Sequence, residues 1–118
     1  MNFMSEAIAF RRAMGQTIGS PTKDEIDLQF DLINEEYEEL VFACDEAETL
    51  KEMADLVYVV YQLAAAKAWN LDAALYRVHQ SNLSKLVNGK PLRREDGKVL
   101  KGPNYKPPYL DDLIQPTK

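Results

Sequence analysis

The sequence predicts an all-α protein in which four helices are followed by a non-helical tail. Apolar residues up to about residue 88 recur at alternating spacings of three and four, the pattern of a helix face. Five of the six prolines and three of the five glycines lie beyond residue 88, and both residue types interrupt helices. We therefore expect one domain over residues 1–118, with a helical core at about 4–88 and a basic tail at about 89–118.

The first two predicted helices are separated by a loop that contains Gly15 and Pro21. Ser5 is the expected cap of the first helix, which should end near Gly15. Thr22 or Asp24 is the expected cap of the second helix. The apolar face of this second helix is the clearest in the chain and consists of Ile26, Phe30, Ile33, Tyr37, Leu40 and Cys44.

The third and fourth predicted helices are followed by a change in composition. Residues 50–69 lack Gly and Pro and are rich in Ala, Leu, Val and Tyr, which predicts a third helix that is apolar on nearly all sides and buried. Asp72 is the expected cap of a fourth helix that ends near Gly89. In the tail, Asp96 and Gly97 suit the tight turn of a small hairpin, and the remainder should be extended.

Charge is divided unevenly along the chain, although the net charge is only −5. Residues 24–55 hold 13 of the 19 acids and one basic residue, whereas residues 85–106 hold seven basic residues and two acids. A net negative charge disfavours general nucleic-acid binding, which needs an excess of Lys and Arg. The lone Cys44 cannot form an internal disulfide, and no apolar stretch resembles a signal peptide or a membrane span, so we expect a cytoplasmic protein.

Acidic residues of the second helix fall on or beside its apolar face. With about 100° per residue and Ile33 as zero, Glu36 lies at about −60° and Glu39 at about −120°. Glu35 lies at about −160°, next to Glu39, whereas Glu38 lies at about +140° and is explained as a solvent-facing acid. A carboxylate that projects from a core-facing stripe needs a cation or strong hydrogen-bond donors beside it.

The third helix carries a second pair of acids, Glu52 and Asp55, one turn apart on one face. Two facing helices that each present acids at i and i+3 are typical of metal sites in helical bundles, and oxygen ligands favour Mg²⁺ or Mn²⁺ over zinc. The alternative is a set of ordinary surface acids. Because the only basic residue near in sequence is Lys51, lysines cannot neutralise the group, and we favour a magnesium site.

The two acidic pairs form an E-x-x-E motif within residues 32–40 and, after twelve intervening residues, an E-x-x-D motif within residues 52–56. This doubled motif resembles that of the all-α nucleoside triphosphate pyrophosphohydrolase superfamily, which includes MazG-like proteins, dimeric dUTPases and phosphoribosyl-ATP pyrophosphohydrolases. The segment Met-Ala-Asp-Leu-Val-Tyr is especially similar to the last of these, while residues 78–86 and 97–103 resemble the MazG-like house-cleaning branch. The resemblance covers about residues 4–110 and implies a four-helix MazG-like bundle.

The resemblance implies Mg²⁺-dependent hydrolysis of a nucleoside triphosphate between its α and β phosphates, which gives a nucleoside monophosphate and pyrophosphate. It implies Glu36, Glu39, Glu52 and Asp55 as metal ligands, with Mn²⁺ able to replace Mg²⁺. It also implies Glu35 as a further acid near the attacking water. Either Glu35 or Glu36 would orient or deprotonate that water, while the cation neutralises charge that develops on the phosphate oxygens.

Polar and basic residues beyond the third helix are candidate contacts to the substrate. By the same resemblance Asn82 and Lys85 bind phosphate, and their spacing places them one turn apart on the fourth helix. Lys98 and Lys101 lie among Gly, Pro and Tyr105, a setting that suggests a strap able to close over phosphate. The alternative for these tail residues is a solvated, flexible segment.

Two other functions remain open. One is the phosphoribosyl-ATP pyrophosphohydrolase of histidine biosynthesis, which the residues around Asp55 favour and the added tail disfavours. The other, from a different class, is a non-catalytic helical interaction module in which the acids form a solvated face. The preferred base and sugar cannot be read from the residues.

The third helix also predicts the assembly state. It is apolar on nearly all sides, and four helices offer too little surface to cover it. Members of the resembled superfamily pair their helices into dimers or tetramers. We therefore expect a homodimer or homotetramer.

Overall fold

The computed structural model describes residues 2–114 and confirms the all-α fold class. Within this range the elements, in chain order, are α1 (Phe3–Ala13), α2 (Lys23–Val41), α3 (Glu46–Ala66), α4 (Leu71–Leu83), β1 (Leu92–Arg93), β2 (Val99–Leu100) and α5 (Asp111–Ile114). They belong to two compact units, one up to Leu71 and the other from Asp72 onward. The expectation of a single domain stays a prediction. None of the described helices is long and apolar enough to cross a membrane.

Side-chain caps set where the first three helices begin. The Asn2 side chain caps α1 by accepting the Ser5 N–H, so this helix begins before the expected cap. Thr22 caps α2 in a reciprocal capping box with Glu25. The Asp45 carboxylate accepts the Glu48 N–H at 2.7 Å, which lets α3 begin at Glu46, four residues earlier than the apolar pattern predicts.

The core of the first unit lies between α1 and α3, and α2 also packs against α3. Small residues, Ala7 on α1 and Ala65 on α3, are fully buried and let the two helices approach closely. Two buried amides link α3 to its neighbours, since Gln62 donates to the Ala7 carbonyl oxygen and Gln29 of α2 donates to that of Val59. Buried polar groups satisfied in this way fix the relative position of the helices.

The third helix is buried only along part of its length. Residues 61–66 contain most of its buried positions, whereas Leu50, Met53 and Val57 are at least half exposed. The prediction of a helix buried on all sides is therefore wrong for the first half of α3 in a single chain, because α1 and α2 cover one side of it.

In the second unit the chain leaves the helix early and then folds into short turns. Helix α4 ends at Leu83 rather than near Gly89, and residues 87–90 form a tight turn with Asn88 and Gly89 at positive φ. The expected hairpin is confirmed: β1 and β2 pair antiparallel through a turn with Gly97 at φ +89°. The short helix α5 was not expected in the tail, and its two leading aspartates suit a helix N-terminus.

Candidate metal centre and phosphate-binding residues

Four acids from two helices converge in the first unit. Glu36 and Glu39 come from α2, and Glu52 and Asp55 come from α3. One carboxylate oxygen of each lies within 4.8 Å of the corresponding oxygens of the other three. The two i, i+3 pairs seen in the sequence therefore face each other across the α2–α3 contact.

The burial of these acids makes a cation the natural partner. Glu52 is only 6% exposed, Glu36 and Asp55 are half-buried, and Glu39 is exposed. The Oε2 atoms of Glu36 and Glu52 are buried without any hydrogen-bond donor in the structure. A buried anionic oxygen without a partner is costly, and a divalent ion satisfies several such oxygens at once. The donor set, composed only of carboxylate oxygens, fits Mg²⁺ or Mn²⁺.

Lys51 partly neutralises the cluster, so the expectation that no lysine does so is wrong. Its Nζ lies 2.8 Å from Oδ2 of Asp55 and 3.3 Å from Oε1 of Glu52. Hydrogen bonds to Asp55 and then to Glu52 raise the pKa of the Lys51 ammonium. The spacing i, i+4 between Lys51 and Asp55 is the signal that could have revealed this pair. One lysine against four acids still leaves the group strongly negative.

Crowding among the carboxylates changes the pKa of Glu39. A hydrogen bond to the Glu52 carboxyl, possible when Glu39 is protonated, raises the pKa of Glu39 to about 7, and the negative charge of Glu36 adds to this effect. Close packing of like charges therefore favours the protonated form of Glu39.

The remaining acids of the second helix lie outside this group. Glu35 and Glu38 are both exposed on α2, and neither belongs to the four acids that converge. For Glu38 this agrees with the helical phase. The role of Glu35 beside an attacking water stays a prediction.

The five candidate substrate contacts all belong to the second unit: Asn82, Lys85, Lys98, Lys101 and Tyr105. The Lys101 Nζ lies 4.8 Å from the centroid of the Tyr105 ring, a cation–π contact. Asn82 is exposed near the end of α4, and Lys85 is half-buried just beyond it. Lys98 is exposed next to β2, with its N–H bonded to Asp96.

Comparison of the sequence with known protein families shows which family the chain belongs to. The family model described as phosphoribosyl-ATP pyrophosphohydrolase matches residues 8–82, which include all four converging acids. This family is part of the MazG-like nucleoside triphosphate pyrophosphohydrolase superfamily, and its activity is that of a pyrophosphohydrolase. No curated protein is significantly similar to the chain. By its matched residues and its all-α fold, the chain belongs to the phosphoribosyl-ATP pyrophosphohydrolase family.

Proposed function

We propose that the protein hydrolyses a nucleoside triphosphate between its α and β phosphates in a Mg²⁺-dependent reaction that releases pyrophosphate. The observation that carries this proposal is the convergence of four carboxylates with two buried oxygens that have no donor. Such a site holds a cation next to a polyanionic substrate, and pyrophosphohydrolase chemistry is the activity of the family.

In this proposal Glu36, Glu39, Glu52 and Asp55 hold the ion. A bound divalent ion supplies Lewis-acid neutralisation of the phosphate oxygens and acidifies water. Glu35 or Glu36 orients or deprotonates the attacking water, and a carboxylate at either position accepts the proton. Lys51 restrains Asp55 and Glu52 through its two ion pairs and so keeps both side chains in place.

The phosphate contacts in the proposal are Asn82, Lys85, Lys98, Lys101 and Tyr105. Their amide, ammonium and hydroxyl groups are hydrogen-bond donors, which a triphosphate with its many acceptor oxygens requires. Positive charge near the departing phosphates stabilises the pyrophosphate that leaves.

The direct test is incubation with a panel of nucleoside triphosphates and Mg²⁺, followed by separation of the products. We expect nucleoside monophosphate and pyrophosphate in equal amounts from at least one member of the panel. Orthophosphate as the only product, or no product from any nucleotide, would contradict the proposal.

Phosphoribosyl-ATP is the second candidate substrate, and the family match favours it. The same α–β bond would be cleaved, so the four acids keep their roles. Comparison of kcat/KM for phosphoribosyl-ATP with those for dUTP and dCTP separates the two. The chain beyond residue 82 lies outside the matched region, and this favours a free nucleotide.

A homo-oligomer is part of the same proposal. Two stripes in the first unit remain exposed, one on α2 (Phe30, Tyr37, Val41) and one on α3 (Leu50, Met53, Val57), each residue 50–68% exposed. Apolar stripes of this length are typical of surfaces covered by another chain, and here we infer a second copy. A stable monomer in sedimentation at micromolar concentration would contradict this inference.

A further inference from the structure

Residues 102–112 run along helix α4 in the opposite direction. Within the second unit Gly102 contacts the backbone at Lys85, residue 106 bonds to Ser81 and Ser84, and Arg77 bonds to residues 109 and 112. Successive residues of the tail therefore contact residues that lie progressively earlier in the chain, from Lys85 back to Arg77. We name residues 101–112 the tail strap.

Gly102 is the closest contact between the tail strap and the end of α4. It is the only buried residue among the described positions of the tail, and its φ does not lie in the left-handed region. A Cβ at this position would come within 2.8 Å of the Lys85 carbonyl oxygen and 2.7 Å of a Val87 methyl group. Glycine is therefore required here for close backbone approach rather than for conformational freedom.

Two serines of α4 hold the next part of the tail strap. The Ser81 hydroxyl donates to the Lys106 carbonyl oxygen at 2.7 Å, and the Lys106 N–H donates to the Ser84 hydroxyl at 2.9 Å. The Ser84 hydroxyl in turn donates to the Ser81 carbonyl oxygen at 2.6 Å. Because these hydrogen bonds are made by backbone atoms of residue 106, they fix the position of this residue along α4 independently of its side chain.

A bidentate ion pair holds the C-terminal part of the tail strap against α4. The Arg77 guanidinium bonds both carboxylate oxygens of Asp112, at 2.5 and 3.0 Å, and the carbonyl oxygen of Tyr109 at 3.0 Å. The tail strap is therefore anchored at three levels of α4, while the side chains of Lys101 and Lys106 are exposed.

These contacts fix the positions of the backbone atoms from which the basic side chains of the tail project. Lys101 directly precedes Gly102, so close approach of Gly102 to Lys85 brings the backbone origins of the two lysines next to each other. The Lys101 ammonium is further restrained above the Tyr105 ring. Preorganised ammonium groups bind a multivalent anion with a smaller entropic cost than freely moving ones.

We propose that Gly102 is a positioning residue whose close contact with Lys85 sets Lys85 and Lys101 side by side as a binding site for linear polyphosphate. The ligand class is a chain of two or three phosphates, because such a chain offers several charged acceptor groups to two ammonium groups at once. This inference rests on the proposed function, since it names the groups that hold the phosphates of the nucleotide.

The first experiment measures binding of inorganic tripolyphosphate to the full chain by calorimetry, at low salt and with EDTA so that the carboxylate site stays out of the measurement. We expect Gly102→Ala to weaken binding at least about tenfold, comparable to the loss of one charge-assisted hydrogen bond. Lys101→Ala should give a similar loss. Lys90→Ala, which removes an equal charge outside the tail strap, and Gly97→Asn, which replaces a hairpin glycine by the residue best suited to positive φ, should leave binding unchanged.

A second measurement separates positioning from general loss of structure. We expect faster hydrogen exchange of the Lys106 amide in Gly102→Ala, with amides of α1 to α3 unchanged. In turnover, Gly102→Ala should raise KM for the nucleotide more than it lowers kcat. The double variant Gly102→Ala/Val87→Ala should recover part of the binding, because one of the two steric conflicts is then removed.

Outcomes for this inference and for the proposed function are distinct. Tripolyphosphate binding that is absent from the wild type, or equal in Gly102→Ala and wild type, overturns the inference even if nucleotides are hydrolysed. Conversely, a wild type that hydrolyses no nucleotide but binds tripolyphosphate through Gly102-dependent lysines contradicts the proposed function and leaves the binding site standing.

Discussion

The two compact units are stabilised by different kinds of interaction. Of the described residues up to Leu71, ten are buried; six of these are apolar, and five of the six form the core cluster between α1 and α3. Of those from Asp72 onward, only Ser81 and Gly102 are buried. The first unit is held by helix packing, whereas the second is held by hydrogen bonds, an ion pair and one close backbone contact.

The acidic and the basic candidate residues lie in different units: the four acids belong to the first unit and the candidate lysines to the second. Packed helices can force carboxylates together against their repulsion, because the apolar contacts around them supply the stability. The basic residues need no such enclosure, since the exposed ammonium groups of Lys98 and Lys101 remain hydrated until an anion arrives. The comparison predicts large effects from changes in the first unit and small ones from changes in the second.

The largest effect is expected for Glu39→Gln. It removes the charge of one proposed ligand while keeping the shape of the side chain, so metal-dependent turnover should fall at least roughly 100-fold, the upper range for loss of a residue that merely orients a ligand. Helicity by circular dichroism should stay the same. Glu38→Gln, the neighbouring exposed acid, is the matched control and should keep its activity. Equal losses in the two variants would show that the ligand set is wrong.

Metal binding should be visible in stability. Mn²⁺ at about 100 times its Kd should raise the free energy of unfolding by about 2.7 kcal/mol, because the ion binds only the folded arrangement of acids. Thermal unfolding with and without EDTA measures this. The gain should vanish in Glu52→Gln and persist in Glu38→Gln. A non-catalytic interaction module predicts no saturable Mn²⁺ binding at all, so calorimetric titration decides between the two models.

The packing of the first unit can be tested at its closest contact. Ala65 is fully buried in the core that α1 and α3 share, so Ala65→Leu overpacks it and should lower the free energy of unfolding by about 1–3 kcal/mol in urea. Ala47→Leu places the same side chain at an exposed position of α3 and should change stability by less than about 0.5 kcal/mol. Similar effects of the two substitutions would contradict the conclusion that helix packing at Ala65 stabilises the first unit.

The smallest effect is expected at the exposed ion pair of the second unit. The hydrogen bonds from Arg77 hold the pKa of the Asp112 carboxyl below its usual range. The pair therefore contributes fully above the ordinary Asp pKa of about 4 and is lost only as the pH falls through the lowered value. NMR titration of the Asp112 carboxyl carbon should show no transition between pH 7 and 5. A midpoint above the ordinary value would contradict the ion pair.

Much of the fold was readable because it depends on local patterns. Helix α2 and its Thr22 cap, together with the Asp96–Gly97 turn, follow from residue spacing and backbone preference. The predicted apolar face of this helix is only partly correct, because α2 ends at Val41, before Cys44, and Phe30 and Tyr37 are more than half exposed. The start of α3 was missed because residues 46–49 have no apolar period, and the Asp45 cap decides it instead. The convergence of the two acidic pairs was predicted from helical phase, since residues three apart share a face.

Local residue patterns were sufficient to predict the presence of α1 to α4, the hairpin and the four acids, because those features are encoded within a few neighbouring residues. The packing of the helices and the path of the tail determine that Lys51 pairs with two of the acids, that two carboxylate oxygens are left without donors, and that Gly102 lies against Lys85. Contacts over 17 residues, such as that of Gly102 with Lys85, leave no periodic trace, since they depend on the path of the whole tail. The carboxylate cluster thus begins as a spacing in the sequence and becomes a candidate cation site through the packing of α2 against α3.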